Sequence, residues 1–345
     1  WPALFLVFLP LAALAVVVAA RPRFLPTRTA APPVVGAGEP SDVVLEVTAV
    51  RPVPGGAVVA EDDPGPGLGA AHRFRVAAAH TGDLTRETHT ARPRRRGRYS
   101  LDGFRYRFGD LLGFWVYTRR VPKPTPLVVT PTVVALPRTA ARAYGQTGET
   151  PIPQTSVSGP DDVMVREYQA RDDVRRIHWP STARAGTLMV RREEAAWDPT
   201  AWVVVDSRAG VHAPGHGEHP TFEWLVSAAA SIGLRLLQDG YTVTLADAEG
   251  ATREVTPGRP SSISEWLDPL VDIDLTGADD LHAATTTIAR AASEHLIVAL
   301  LGRLDHQTAD LLAGTTGSRQ QRVALVVAPD ADARADFDSG RGVLA

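Results

Sequence analysis

The chain has 345 residues, a formal net charge of −3 and no cysteine. Its length exceeds that of one ordinary hydrophobic core, so more than one domain is expected. The lack of cysteine excludes disulfides, thiolate catalysis and cysteine-ligated zinc, and the slightly acidic balance excludes a global field that would hold nucleic acid or an anionic membrane.

The first 20 residues, WPALFLVFLPLAALAVVVAA, form an uncharged apolar run. About 20 such residues are enough for a helix to cross a bilayer. Arg21, Arg23 and Arg28 follow the run, and short basic flanks favour the cytoplasmic side. A cleaved signal peptide, although no basic region precedes the run, and a buried core helix are the alternatives. We therefore predict a transmembrane helix over residues 1–20 that anchors the protein in the cell membrane, with its globular domains in the cytoplasm.

Two segments of different composition follow. Residues 21–40 are rich in proline, alanine and glycine, which is typical of an extended linker. Residues 41–137 contain short β-favouring runs separated by turn residues. This pattern predicts a small antiparallel, β-sandwich-like domain.

The run RPRRRGR, residues 92–98, is a strongly basic stretch within this region. Contact with nucleic acid or with lipid headgroups beside a membrane is one interpretation. A solvated entrance to a strand is the other, because Phe104, Tyr106 and Phe108 alternate as core residues do on one face of a strand. We favour the second interpretation and expect no nucleic-acid partner.

Residues 197–330 change to alternating strand and helix, and residues 331–345 are a polar tail expected to be flexible. Four apolar runs predict buried parallel strands: residues 201–207, 241–248, 295–302 and 322–329. Between the first two, apolar residues recur at helical spacing and include Phe222 and Gly233. The pattern indicates a doubly wound α/β domain, so the predicted fold class is α/β plus all-β.

Asp206 directly follows the first of these strands, where open α/β sheets form their ligand crevice. An acidic residue at this position resembles the arrangement in the von Willebrand factor A fold, which has a metal motif similar to D-x-S-x-S after its first strand. The two serine positions fall on Arg208 and Gly210, and Arg208 would bring a competing cation. Asp305 could add a second carboxylate, but Mg²⁺ needs several oxygen ligands. We expect a degenerate metal site with Asp206 and Asp305 as weak candidates, and no cofactor.

Other sequence motifs for catalysis or ligand binding are either missing or weak. The chain has no G-x-G-x-x-G after the first strand, no P-loop lysine and no G-x-S-x-G. His212, His216 and His219 lie close together with Glu218 and could ligate zinc. A polar loop with arbitrary histidine spacing is the alternative interpretation.

The stretch REYQARDDVRRIHWPSTARAGTLMVRREE, residues 166–194, interleaves charges of both signs with aromatic residues. We expect an extended segment over residues 163–168, followed by a short helical turn that Pro180 ends. Ser181 is expected to cap a second turn, with Gly186 as its left-handed exit into a strand.

This stretch resembles the signature of the DUF58 family, approximately R-E-Y-x-x-G-D-x-x-R-x-I-x-W-x-x-[ST]-A-R-x-G-x-L-x-V-R-E. Fourteen positions match the signature: Arg166, Glu167, Tyr168, Asp172, Arg175, Ile177, Trp179, Thr182, Ala183, Arg184, Gly186, Leu188, Val190 and Arg191. Arg171 replaces the family's glycine before Asp172, and Pro180 occupies a usually polar position. Upstream, RRRGRYSLDGFRYRFGDLLGFW resembles the family's R-R-G-x-Y segment and its D-P-F-G-L-F turn.

The resemblance implies a membrane-tethered partner of MoxR-type AAA+ ATPases, with a von Willebrand A-like domain as the docking module. Residues 138–196 would be the connector that carries the signature. The charges favour a structural latch over a recognition patch, and a recognition patch over a catalytic centre. The candidate signature and partner-binding residues are Arg166, Glu167, Tyr168, Asp172, Arg175, His178, Trp179 and Arg184; none is assigned as catalytic.

We therefore expect a non-enzymatic scaffold that docks a protein partner, either the ATPase or its client. The alternative is a divalent-metal-dependent enzyme or a metal-gated adhesion module that uses Asp206 and Asp305.

Overall fold

The computed structural model describes residues 1–53, 55, 57–110, 112–137, 165–168, 177–191, 199–212, 220–291, 295–304, 306–314 and 321–327. The chain divides into two compact units. The larger unit comprises Trp1–Ala135 and Thr200–Ala345, and the smaller comprises Leu136–Pro199. The larger unit contains a β domain and an α/β sheet, and the smaller contains the signature stretch.

The apolar N-terminal run forms helix α1, Pro2–Ala20. Among the described residues no helix is both long and apolar enough to cross a membrane, so the predicted transmembrane segment is wrong. Val17 and Ala20 of α1 are instead buried in the core of the β domain. The indole N–H of Trp115 also donates to the carbonyl oxygen of Pro10 at 2.8 Å. Apolar composition does not distinguish a helix that packs on protein from one that faces lipid.

The β domain contains ten strands in the described residues. These are β1 Arg23–Ala31, β2 Val34–Gly36, β3 Ser41–Arg51, β4 Ala57–Asp63, β5 His72–Ala77, β6 Leu84–Ala91, β7 Gly97–Leu101, β8 Gly103–Gly109, β9 Val116–Arg120 and β10 Thr125–Thr130. They form three sheets with the orders β1-β3-β6, β2-β10-β7 and β5-β4-β8-β9. Phe104, Tyr106 and Phe108 of β8 point into the core, as their alternation indicates.

Strand β1 lies within residues 21–40, where the composition indicates an extended linker. Its residues are alternately exposed and buried, and it pairs antiparallel with β3 along its whole length. Proline and alanine suit an edge strand as well as a linker, because Pro26 needs no ladder hydrogen bond on the open side. Composition alone therefore does not distinguish an extended linker from an edge strand.

A buried ion pair lies between β1 and β4. The Nε atom of Arg28 donates to Oδ2 of Asp62 at 3.1 Å, and a terminal guanidinium nitrogen contacts Oδ1 of the same carboxylate. Arg28 also donates to the backbone oxygens of Leu101 and Lys123. These contacts join strands of different sheets through one guanidinium, which satisfies several donors that burial would otherwise leave unpaired.

Acid is expected to destabilise the β domain through His89, which lies beside this ion pair. The His89 side chain is 8% exposed, its ring stacks on His72 at a centroid distance of 5.5 Å, and no described residue forms a hydrogen bond with either ring nitrogen. Burial lowers the pKa of His89, against the attraction of Asp62 at 3.5 Å. The unfolded chain takes up this proton at about pH 6.5 and the folded chain only at lower pH. The free energy of unfolding should therefore fall as the pH drops below about 6.5.

Urea unfolding measured at several pH values between about 7.5 and 5 tests this expectation. His89→Phe keeps a ring against His72 and should weaken the dependence of stability on pH. His80→Phe, at a position with an exposed side chain, should leave that dependence unchanged. An identical dependence in wild type and His89→Phe would show that another group is responsible.

The smaller unit contains a short hairpin with a helix between its strands. Its elements are β11 Val165–Glu167, α2 Trp179–Ala185 and β12 Met189–Arg191. β11 and β12 pair antiparallel, and the bonds from Tyr168 N to Leu188 O and from His178 N to Met189 O are both 2.7 Å. These bonds hold Tyr168, directly after β11, and His178, directly before α2, to β12 or its entry.

The two ends of α2 differ in how well the sequence predicts them. Gly186 follows the helix with φ of 71°, which confirms the predicted left-handed exit. Pro180 does not end a turn: it lies in the first turn of α2, where a residue without an N–H costs the helix nothing. His178, and not Ser181, is the N-cap residue, and its Nδ1 lies 2.9 Å from Oγ of Ser181.

The α/β sheet has five strands in the described part of the chain. They are β13 Thr200–Val205, β14 Thr242–Ala246, β15 Thr252–Val255, β16 His295–Leu301 and β17 Gln321–Val326, in the order β15-β14-β13-β16-β17. The four apolar runs form the expected parallel strands. β15 is an antiparallel edge strand that pattern analysis missed, because it is short and largely exposed.

Helices cover both faces of this sheet. They are α3 Pro220–Gln238, α4 Ser262–Asp272, α5 His282–Arg290 and α6 His306–Gly314. α3 and α4 pack on one face around the buried ring of Trp266, and α5 packs on the other through Ala284 and Ile288. The C-terminal ends of the strands are left for the loops, which is where open α/β sheets carry their sites.

Arg96 and Arg98 of the basic run RPRRRGR join the β domain to the α/β domain, and Arg98 does so by hydrogen bonds to Asp268 and Asp272 of α4. Arg96 donates to the carbonyl oxygen of Ile273 at the end of α4 from both terminal nitrogens, at 3.0 and 2.7 Å. Its guanidinium also pairs with Glu223 at 3.1 Å and lies 5.4 Å from the ring centre of Phe222. A cation at a helix C-terminus is favoured by the helix dipole. The Arg96 side chain is therefore buried between the two domains, where it makes structural contacts, and is not solvated at the entrance to a strand as the sequence indicated.

Candidate functional site

The crevice of the α/β domain lies where β13 and β16 end side by side. Asp206 follows β13, and its backbone N–H donates to Leu300 O at 2.9 Å, so the residue continues the strand pairing. The Asp206 side chain is fully buried. From β13 the chain crosses through α3 to β14 on one side, and from β16 it crosses through α6 to β17 on the other side. The connections therefore diverge between β13 and β16, as they do at a topological switch point.

Arg208 occupies the crevice above Asp206. Its Nε lies 2.8 Å from Oδ1 of Asp206 and a terminal nitrogen lies 2.9 Å from Oδ2. This is the bidentate geometry in which a guanidinium and a carboxylate bind most strongly. The other terminal nitrogen of Arg208 donates to Oγ1 of Thr308 at 3.2 Å, and the Arg208 side chain is 3% exposed. The competing cation expected from the sequence is thus confirmed: the guanidinium of Arg208 forms a buried ion pair with Asp206.

Backbone and hydroxyl contacts fix the loop that carries Arg208. Thr276 N donates to Ser207 O at 2.7 Å, and Ala209 N donates to Thr276 O at 3.0 Å. Oγ of Ser207 accepts from Ala248 N at 3.2 Å. The loops that follow β13, β14 and α4 therefore hold one another, and the position of Arg208 is set by all three.

His212 closes the other side of the same loop. Its Nε2 lies 2.7 Å from the carbonyl oxygen of Asp206, so Nε2 carries the proton, and Nδ1 lies 3.3 Å from Oγ1 of Thr221. The ring packs edge-on against Phe222. Gly302 lies so close that an added Cβ would be 2.8 Å from the imidazole. His212 therefore ties the crevice loop to the start of α3, and both nitrogens are engaged in that role.

These residues do not fit a divalent metal. A metal at Asp206 would need carboxylate oxygens that point into open space, and both oxygens already bind Arg208. Gly210 offers no side-chain oxygen, and no group of three metal-binding side chains occurs among the described residues. Asp305, His216, Glu218 and His219 lie outside the described residues, so their predicted roles stay predictions.

The structure places some of the predicted signature residues and not others. Trp179 and Arg184 are exposed on α2, whereas Tyr168 and His178 are half-buried beside β12. Arg166 and Glu167 lie on β11, but their side chains are outside the described part, as are Asp172 and Arg175 altogether. The predicted charge network among these residues therefore stays a prediction.

The sequence model of the family described as "Protein of unknown function DUF58" matches residues 164–337, about half of the chain. The chain belongs to the DUF58 family. The DUF58 segment begins just ahead of β11 and runs past β17. It therefore includes both the signature hairpin and the sheet that carries the Asp206–Arg208 crevice, while the β domain precedes it.

Two solved structures are among those similar to this DUF58 protein. A von Willebrand factor type A protein from Catenulispora acidiphila has 11% identity and a TM-score of 0.28, over 43% of this chain and 42% of its own. The CARDB domain of the PF1109 protein from Pyrococcus furiosus, in complex with di-metal ions, has 12% identity and a TM-score of 0.21, over 31% of this chain and 93% of its own. No curated protein matches the chain.

Proposed function

We propose that this DUF58 protein is a non-enzymatic docking module that binds a protein partner through its signature hairpin. Exposed Trp179 carries the proposal. Tryptophan is a residue type that is highly buried on average, yet 66% of this residue is accessible. Large aromatic side chains dominate the binding energy of protein interfaces, because they bury much apolar area at little cost in entropy.

The hairpin holds Trp179 in a defined position. The N-cap His178 is bound through its backbone to β12, and Met189 N donates to Oγ1 of Thr182 at 3.0 Å. The helix exit at Gly186 needs a positive φ that glycine adopts at no steric cost. An anchor side chain on a preorganised element loses less entropy on binding than one on a free loop.

The crevice supports the same function. Arg208 supplies a permanent positive charge where a metal-dependent adhesion site would need an exchangeable cation. Binding by this protein would then depend on shape and on fixed charges, and not on metal concentration. No described side chain at Asp206 is placed as a free nucleophile or general base, which favours docking over hydrolysis.

A MoxR-type AAA+ ATPase is the partner that the DUF58 signature suggests. The resemblance of residues 166–191 to the signature supports this choice. In this proposal the ATPase contacts α2, with Trp179 as the apolar anchor and Arg184 as a charged neighbour. The partner surface would accordingly combine an apolar pocket with carboxylates beside it.

Trp179→Ala is expected to weaken binding of a purified MoxR-type ATPase about 30-fold or more, the usual effect of removing an interface hot spot. Surface plasmon resonance with the full chain immobilised measures this change. The fold should be unaffected, because the Trp179 side chain packs little against its own domain.

Trp224→Ala is the matched control, since Trp224 is also about half exposed but lies on α3, outside the signature. It should bind like the wild type. If both variants bind equally well, or if the wild-type chain does not bind such an ATPase, the proposed docking role of the hairpin is wrong.

A further inference from the structure

The outer face of the sheet β5-β4-β8-β9 carries an unusual concentration of arginines. Strand register places five of them on this face: Arg73, Arg75, Arg105, Arg107 and Arg120. Residues directly opposite each other in a sheet share a face. The five arginines come from three strands, β5, β8 and β9, and share a face because these strands align with β4 in one sheet. We call this surface the arginine face.

The arginines form two rows across the strands. Register aligns Arg73, Glu61, Arg105 and Arg120 in one row, and Arg75, Val59, Arg107 and Thr118 in the next. Neighbouring strands lie about 4.8 Å apart and same-face residues along a strand about 6.8 Å apart. Arg75 and Arg107 therefore stand about 10 Å apart, on either side of the exposed Val59.

Charge on this face is unevenly compensated. Glu61 pairs with Arg73 at 3.0 Å and also with Arg105, and Asp102 pairs with Arg120 at 3.1 Å. These contacts all lie in the first row or at its end. In the second row, Arg75 and Arg107 are exposed, and neither forms an ion pair with a described residue. The second row thus presents two guanidinium groups that no carboxylate of the described residues neutralises.

Glu61 shows how arginines of this sheet hold a carboxylate. Its side chain is 8% exposed and accepts hydrogen bonds from two arginines of neighbouring strands. The hydrogen bond from Arg105 lowers the pKa of Glu61, and this effect outweighs the burial that would raise it. A carboxylate placed between arginines of this sheet is thus held as the anion. The second row has the same arginine spacing but Val59 in the central position.

We propose that the second row of the arginine face binds an extended acidic segment of a partner protein. Arg75 and Arg107 would pair with carboxylates of the segment, and Val59 would contact its apolar atoms. An extended chain rises about 3.3 Å per residue, so carboxylates two residues apart lie on one face at a separation of about 6.6 Å. The long side chains of Arg75 and Arg107 can lean inwards over Val59 to reach both carboxylates. This inference goes beyond the proposed function and is independent of it, since the surface belongs to the β domain and not to the signature hairpin.

An acidic protein segment suits this face better than nucleic acid does. Proteins that bind single strands stack bases on exposed aromatic rings, and the aromatic residues of β5 and β8 all point into the core. The chain also has a net charge of −3 despite the arginine face, so surfaces elsewhere are negative. A long polyanion would meet those surfaces, whereas a short acidic segment would not.

Fluorescence anisotropy with a labelled peptide of alternating glutamate and threonine tests the proposal on the full chain. We expect binding that weakens as the salt concentration rises from about 0.05 to 0.15 M. Arg75→Glu/Arg107→Glu should reduce the affinity at least tenfold, and circular dichroism should show an unchanged fold, because both side chains are exposed.

Arg253→Glu/Arg259→Glu is the matched control, since it changes the net charge equally at exposed positions of the α/β domain. It should bind the peptide like the wild type. Three results would overturn the proposal: no binding of the peptide, equal losses in both double variants, or binding of a thymidine oligonucleotide of equal charge as tight as that of the peptide. The last result would assign the face to nucleic acid.

Discussion

Arg208→Ala is expected to lower the free energy of unfolding by about 3–5 kcal/mol. The substitution leaves the carboxylate of Asp206 fully buried without its cation. The remaining donors near Asp206, the backbone N–H groups of Arg208 and Gly302 at 3.3 Å, are too distant to replace a bidentate guanidinium. Thr308 also loses the hydrogen bond from Arg208, so the loops at the end of the sheet should loosen together.

Urea unfolding of the purified chain measures this loss. Arg303→Ala is a suitable control, because Arg303 is exposed at the same end of the sheet, and its effect should stay within about 0.5 kcal/mol. The pair variant Asp206→Leu/Arg208→Met should be more stable than Arg208→Ala, since no unpaired charge is left. If Arg208→Ala unfolds like the wild type, the ion pair does not organise the crevice.

Gly233→Ala is expected to destabilise the α/β domain by roughly 3 kcal/mol, even though alanine is the better helix former. Gly233 lies on α3 where α4 crosses it, and an added Cβ would be 2.0 Å from the ring of Trp266. That ring is fully buried and its indole N–H donates to Ala230 O at 3.3 Å, so it cannot move aside cheaply. The two helices would have to separate, which opens the core of this face of the sheet.

Thermal unfolding followed by circular dichroism and by tryptophan fluorescence tests this prediction. Gly277→Ala is the control, since no atom lies within 4 Å of the Cβ it would add. A pair variant, Gly233→Ala/Trp266→Leu, removes the clash and should recover part of the stability. A rise in stability for Gly233→Ala alone would mean that helix propensity outweighs packing at this site.

The two domains differ in how well their structures follow from sequence patterns. The parallel strands of the α/β domain were predictable, because strands buried on both faces are continuous apolar runs. The helical stripe that includes Phe222 and Gly233 likewise follows from its spacing. α1 was predicted as a helix but placed wrongly, because an apolar helix has the same composition in lipid and against a protein core.

The candidate site was only partly predictable. Asp206 and its arginine neighbour were found from the position after a strand and from the residues that replace the serines of a metal motif. The contacts of His212, Thr276 and Thr308 were not found, since each joins loops that are distant in the chain. No local pattern marks such residues, because their partners are chosen by the packing of whole elements.

The sequence by itself determined membership of the DUF58 family, the four parallel strands of the α/β domain and the lack of a phosphate-binding loop, because these depend on local spacing. Only the tertiary structure decided that Arg208 neutralises Asp206, that Arg96 caps α4 and that five arginines of three strands share one face of a sheet. The physical reason is that charge pairing depends on distance in space, and strand register and loop packing bring together residues that the chain keeps apart.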